Sequence, residues 1–393
     1  MSKRLNIMNM KKLCYTIAVA LCCILTSCDK DDEPKTPSEK PDEPIVEMSS
    51  AAWETGEKEL LAGYWSEKHQ IKIETGSDWT LCAEGTMNVE VNDAGTWHLL
   101  EEECSGNGNS LLELRIPANG LFEQRTTELI ITFEDGRDTL SLAQEASPDM
   151  ISLIEDEMFR MAVSTSCSIY GIDQDEDMKV SAAEAEFVPD EGTPYGIDAG
   201  SWSVKSIKGI ENFPHIRHLD LNNSPDLVEM DISANKDIMS LHIYNCPKLE
   251  PIDLSSCDKL MELGCDFSMY ISVLPFIEEH KTAIHTLGIF NRKDGEVSEL
   301  DFSGFSGLNR LHIDGNRLTK VELSGCTSLW RFVASGNNFT ELDLSDVDRY
   351  YDNMYLMDDC PELKTVYVWK GWTPDYYTVF SYDEENNIEF IEK

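Results

Sequence analysis

The sequence predicts a mixed, mainly β chain: an all-β antiparallel sandwich, then a repeat solenoid preceded by a small helical cap. Three observations carry this. Short apolar or alternating runs, separated by Gly, Asn and Asp turns, fill residues 46–147. Ile151, Ile154, Met158 and Met161 then follow a helical spacing. From Leu219 onward, Leu-x-Leu units begin every eleven residues, and two such units make one solenoid coil.

The first element is a leader. Lys11-Lys12, the apolar run Leu13 to Leu25 and the small pair Thr26-Ser27 read as a secretory signal over residues 1–27, too short to span a bilayer. Leu25-Thr26-Ser27-Cys28 resembles a bacterial lipobox, which implies acylation of Cys28. The acidic stretch Asp29-Lys30-Asp31-Asp32-Glu33 resembles the surface-export signal of Bacteroidetes lipoproteins. Together they imply a chain lipid-anchored to the outer membrane and exposed at the cell surface; a plain secretory leader is the alternative. Residues 28–45, rich in Pro, Glu, Lys and Asp, lack the apolar content to pack and read as an acidic tether.

Charge agrees with that address. The chain carries −41, and removal of Lys3, Arg4, Lys11 and Lys12 with the leader takes it to −45. Such a field repels nucleic acid and anionic headgroups and favours cations. Of the twelve cysteines, three leave with the leader and Cys28 is the acylation site, so eight remain for the folded body.

Strands are expected at Gln70–Ile73, Asn88–Val91, Leu111–Ile116, Leu129–Phe133 and Thr139–Leu142. Ser77-Asp78-Trp79, Trp97, Gly106-Asn107-Gly108, Asn119, Arg125-Thr126 and Leu142-Ala143-Gln144-Glu145-Ala146 resemble the landmarks of the BACON domain, a Bacteroidetes-associated carbohydrate-binding module. The resemblance implies an immunoglobulin-like sandwich over 46–147 that either captures glycan or serves as a spacer. Trp79 and Trp97 are each either a core anchor or a sugar-stacking surface.

Residues 148–206 form the expected cap, with an amphipathic helix over Asp149–Val163. Within it, Asp173, Asp175, Asp177, Lys179, Ser181 and Glu184 occupy positions 1, 3, 5, 7, 9 and 12 of an EF-hand-like loop, an oxygen spacing suited to structural calcium. Met178 stands where that loop wants glycine, and an acidic turn is the alternative.

The solenoid occupies residues 207–393. Leu219-Asp-Leu221, Met230-Asp-Ile232, Leu241-His-Ile243, Ile252-Asp-Leu254 and Leu263-Gly-Cys265 open it, and Leu300-Asp-Phe302 to Leu342-Asp-Leu344 resume it. Asn235, Cys246, Cys257, Asn316, Cys326 and Asn337 follow the units and are expected inside, with the cysteines buried and reduced. The pattern resembles the leucine-rich repeat surface proteins of Bacteroidetes. Residues 264–299 depart from the repeat, with a helix expected at Leu274–His280. The aromatic tail after Thr365 is a cap or, alternatively, a sugar platform.

Residues between inward leucines face outward. That places Asp220, His242, Tyr244, Phe290, His312 and Asp314 on one ligand-binding face. A second column, Asp231, Asp253, Asp301, Glu322 and Asp343, stacks carboxylates about 4.8 Å apart, which calls for local hydrogen bonds or shared cations. No nucleophile motif, phosphate loop or zinc signature appears, although a carboxylate pair for glycoside hydrolysis need not be close in sequence. The expectation is a non-catalytic surface protein that binds a protein ligand through the repeat face, with glycan capture through the sandwich as the alternative.

Overall fold

The structure is a computed structural model. It describes residues 49–50 and 59–393, apart from 74, 94, 101–103, 135, 189, 191–194, 294–295, 348–353 and 373–378. Cys28 with the leader and tether, and Tyr376 and Tyr377 of the tail, lie outside the described residues. Among those described, no helix is long and apolar enough to cross a membrane.

The chain is mostly β, with few helices. The described residues divide into two compact units, one formed by those from 49 to 153 together with 167–189, the other by 154–166 and 190–393.

Among the described residues of the first unit, ten strands form two five-stranded sheets. β1 (Ser49–Ser50), β3 (Glu67–Ile73), β8 (Ser110–Ile116), β5 (Glu90–Asp93) and β6 (Thr96–Leu99) make one in that order. β2 (Glu59–Ala62), β10 (Gly136–Gln144), β9 (Arg125–Phe133), β4 (Asp78–Gly85) and β7 (Cys104–Asn107) make the other. Alternate residues of both sheets enter one core, among them Ile71, Ile73, Leu114 and Ile116 from one and Leu81, Leu129, Ile131 and Leu142 from the other. Trp79 is a core anchor, 3% exposed, and its indole Nε1 donates to the Gly108 carbonyl at 3.1 Å. A Cβ on Gly106 would lie 2.2 Å from that ring, so β7 passes the indole only because it is glycine there. Asn119, Arg125 and Gln144 tie loops together from inside: the Arg125 guanidinium donates to the Pro117 and Ala118 carbonyls at 3.2 Å and to Gln144 Oε1.

The segment after β10 differs from the expectation. A 3-10 turn, Met150–Leu153, precedes α1 (Glu157–Tyr170) in place of one helix over Asp149–Val163. Asp156 caps α1 by accepting from the Phe159 amide at 2.8 Å. The helix phase follows: Phe159, Ala162, Val163, Ser166 and Cys167 are buried, while Met158 and Met161 are exposed. Ile151 is buried from the turn before it and Ile154 from the link between turn and helix. The acidic loop and the short α2 (Ala182–Ala185) belong to the first unit, not to a solenoid cap over 148–206. The Ala182 amide donates to Ser147 Oγ at 2.8 Å, the Val180 amide to Asp149 Oδ1 at 3.2 Å, and Ser66 bonds Glu186.

The second unit is a parallel β-solenoid. Its main sheet runs β11 (Gly196–Asp198), β12 (His218–Asp220), β13 (Ser240–Ile243), β14 (Glu262–Asp266), β15 (Thr286–Phe290), β17 (Arg310–His312), β19 (Arg331–Val333), β21 (Met354–Met357) and β23 (Val379–Tyr382). The register stacks Ile197, Leu219, Leu241, Leu263, Leu287, Leu311, Phe332 and Tyr355 into one inward ladder, and all eight are buried. β16 (Glu299–Asp301) pairs with β18 (Lys320–Glu322), and β20 (Glu341–Asp343), β22 (Thr365–Val368) and β24 (Glu389–Glu392) pair in turn. The units at Met230–Ile232 and Ile252–Leu254 form no strand.

The turns are sealed from within. Asn235, Asn316 and Asn337 donate their side-chain amides to the carbonyls of Ile210, Ile289 and Ile313 at 3.1, 2.6 and 2.9 Å. Cys246, Cys326 and Cys360 take the same role, their thiols donating to Leu221, Phe302 and Ala334 at 3.4, 3.2 and 3.4 Å. Burial pushes the Cys246 and Cys326 thiols up to about 11 and about 12, so they stay protonated donors. The irregular coil is narrower than expected, because β14 and β15 keep the ladder register. Only the return between them changes, as α3 (Phe267–Glu279), which begins seven residues before the expected helix. At the far end Trp372 stacks on Phe390 at 4.8 Å, and Phe380 meets both, an aromatic cluster on the last coil.

Candidate functional site

The outward side of the main sheet is built by strand alternation. Each inward ladder residue is flanked by two outward ones, so one column reads His218, Ser240, Glu262, Thr286, Arg310 and Arg331. The adjacent column reads Asp198, Asp220, His242, Gly264, Gly288 and His312. All six residues expected on a ligand-binding face lie on or just after these strands, in three neighbourhoods.

At the first, His242 stands between two carboxylates, with Nδ1 3.8 Å from Asp220 Oδ2 and Nε2 3.3 Å from Glu262 Oε1. Burial alone would lower its pKa, but the attraction of Asp220 and Glu262 prevails and pushes it up to about 9. His218 packs edge-on against it at 5.4 Å, and burial together with the His242 charge holds His218 below the usual histidine range. Burial would raise Asp220, yet His242 and the Asn222 amide lower it.

At the second, the missing side chains of Gly264 and Gly288 leave a notch in the face. The Phe290 ring fills part of it, since a Cβ on Gly288 would lie 2.8 Å from the ring. Tyr244 meets Phe290 edge-on at 5.2 Å, and both rings are half-exposed. At the third, burial, Arg331 and Arg310 hold His312 below the usual range, while Asp314 opposes them.

Beside these lies a groove of about 300 Å³ that the outward-face prediction missed, lined by Met239, Met261, Glu262, His285, Arg310 and Trp330 among others. Arg310 lies over the Trp330 ring at 5.0 Å. The signal was available, because the residue preceding each inward leucine also points outward.

The acidic column on the other side is satisfied locally. Asp231, Asp253, Asp301 and Asp343 each accept from the amide two residues on, at 2.9, 2.8, 2.8 and 3.0 Å. Lys393 pairs with Asp343 in addition.

In the acidic loop, carboxylate oxygens of Asp173, Asp175 and Asp177 converge within 4.8 Å. Asp173 is buried and accepts from the Asp177 and Met178 amides at 3.2 and 3.0 Å. Ser181 caps α2, and Glu184 completes a capping box by accepting from the Ser181 amide at 2.8 Å; its other oxygen accepts from Gln174 at 2.9 Å. Lys179 is exposed, with its ammonium 4.8 Å over the Phe122 ring. Met178 adopts φ 68°, the left-handed conformation the loop template demands of its sixth residue. Of the six predicted positions, Asp173, Asp175 and Asp177 are brought together as oxygen donors, while Ser181 and Glu184 are engaged in the cap.

No family model and no curated protein matches the chain. Similar solved structures include the functional domain of InlJ from Listeria monocytogenes, which includes a cysteine ladder, with 15% identity over 63% of this chain and 61% of that one, TM-score 0.35. A second is a Bacteroides ovatus GH5 xyloglucanase in complex with an XXXG heptasaccharide, with 8% identity over 61% and 55%, TM-score 0.19. The chain thus spans about three fifths of the first of these and somewhat less of the second. Likeness at this level carries no argument about activity.

Proposed function

We propose that the chain is a non-catalytic surface lipoprotein whose solenoid recognises a protein ligand through its outward sheet face. The observation that carries this is the face itself. It joins half-exposed Tyr244 and Phe290 over a glycine notch, a groove with two methionines and Trp330, and opposite charges at Glu262 and Arg310. Aromatic, Met and Arg groups on an open surface are the composition that recognition interfaces favour. The two-sheet unit is read as the BACON-like, immunoglobulin-like sandwich, serving as a spacer between this face and the acyl chains on Cys28. Calcium, where bound, is structural and lies between Asp173 and Glu184.

The second reading is glycan capture through the two-sheet unit. Half-exposed Trp97 favours it, flanked by Arg115 at 5.0 Å and Lys68 at 5.9 Å, whereas Trp79 is unavailable in the core. Affinity measurements on purified extracellular proteins and on glycans separate the two. Loss of a protein ligand in Tyr244→Ala/Phe290→Ala, with Trp97→Ala unaffected, supports recognition by the solenoid. Glycan binding lost only in Trp97→Ala refutes it.

A further inference from the structure

We propose that His218, Asp220 and His242 form a site for a divalent transition-metal ion of the zinc class on the outward face of the solenoid. One ligand atom from each lies within 4.8 Å of the other two. His218 and Asp220 share a face because they are two apart on β12, and His242 joins them from the neighbouring coil through the pairing of Asp220 with His242.

Local bonds occupy one atom of each residue and leave the other for the ion. The Asn222 amide donates to Asp220 Oδ1 at 2.9 Å, leaving Oδ2. Glu262 engages His242 Nε2, leaving Nδ1, and Ser240 Oγ lies 3.1 Å from His218 Nδ1, leaving its second nitrogen. The 3.8 Å between His242 Nδ1 and Asp220 Oδ2 is too long for a hydrogen bond. It is near the edge of about 3.3 Å between ligands that sit roughly 2.0–2.1 Å from a tetrahedral ion. The Glu262–His242 pair is itself the carboxylate–histidine arrangement that orients metal-ligating imidazoles.

Two imidazoles and one carboxylate select zinc-like ions over calcium or magnesium, which prefer all-oxygen sites. Three protein ligands leave a position for water or for a side chain of a bound partner. No zinc motif marks the site in sequence because its ligands come from successive coils. The proposal stands apart from protein recognition, since the free ion is its probe.

The test uses the metal-free mature chain at pH 8, with millimolar calcium to satisfy all-oxygen sites. Zinc is titrated by calorimetry, and cobalt by visible absorption. One zinc per chain is expected, with the intense cobalt bands of a four-coordinate site. His218→Gln/His242→Gln should weaken zinc by at least about 100-fold, and Glu262→Gln, which leaves all three ligands in place, by roughly 10–100-fold. Asp173→Ala should leave zinc binding unchanged. Melting curves in chelator establish that each variant folds. Substoichiometric zinc, weak octahedral cobalt bands, or zinc affinity unchanged in Glu262→Gln and the double variant would overturn the site.

Discussion

At the residue scale, the inward ladder and the outward columns obey different rules. Leu287 is buried between Leu263 and Leu311, whereas its neighbour Thr286 faces the groove. Leu287→Asp places an unpaired carboxylate in the core at a cost of several kcal/mol, while Thr286→Asp should stay near about 0.5 kcal/mol. Chemical denaturation of the two variants checks this, and equal losses would disprove the register. His242 would be a poor surface control, because His242→Asp sets three carboxylates together. In metal-free protein its folded pKa, raised to about 9, lies above the unfolded value. The stability it contributes is therefore full below about pH 6.5 and lost as pH rises through about 9. The midpoint of urea unfolding should fall across that window, and less so in His242→Gln.

At the element scale, the acidic loop gives the sharpest expectation. Calcium held by Asp173, Asp175 and Asp177 should raise the melting temperature of the full mature chain more than magnesium does at equal ionic strength. Asp173→Ala with Glu184→Ala should abolish the difference; equal effects of the two cations would leave the segment an acidic turn. Met178→Gly should strengthen the response, since glycine adopts φ 68° without the strain of a side chain, worth about 1 kcal/mol. The gathering of Asp173, Asp175 and Asp177 was legible because they alternate along one short segment. The helix before it was not. Ile151 and Ile154 fit a helical period but are buried from a 3-10 turn and from the link after it, and Asp156, an N-cap, resets the phase so that Phe159 and Val163 face inward. The strand runs at Leu111–Ile116 and Leu129–Phe133 lie within β8 and β9 because β-branched and leucine alternation has few other solutions.

At the scale of the whole molecule, the eleven-residue rhythm made the solenoid readable from Leu219 to Leu344. Residues within one coil, such as Asp220 or Tyr244, could be assigned a face from that rhythm alone. Contacts between coils could not, because His242 with Glu262, or Tyr244 with Phe290, depend on register and on the glycines between them. Anchoring is a separate expectation. If Cys28 carries the acyl chains we propose, Cys28→Ala should shift the protein out of the outer-membrane fraction; unchanged, protease-accessible membrane protein would refute the proposed anchor. The central claim, recognition through the outward sheet face, is tested most directly by hydroxyl-radical footprinting of the mature chain with a bound protein ligand. The account predicts protection of Met239, Met261, Tyr244, Phe290 and Trp330 with Trp97 unchanged. Protection confined to Trp97 and the two-sheet unit would contradict it.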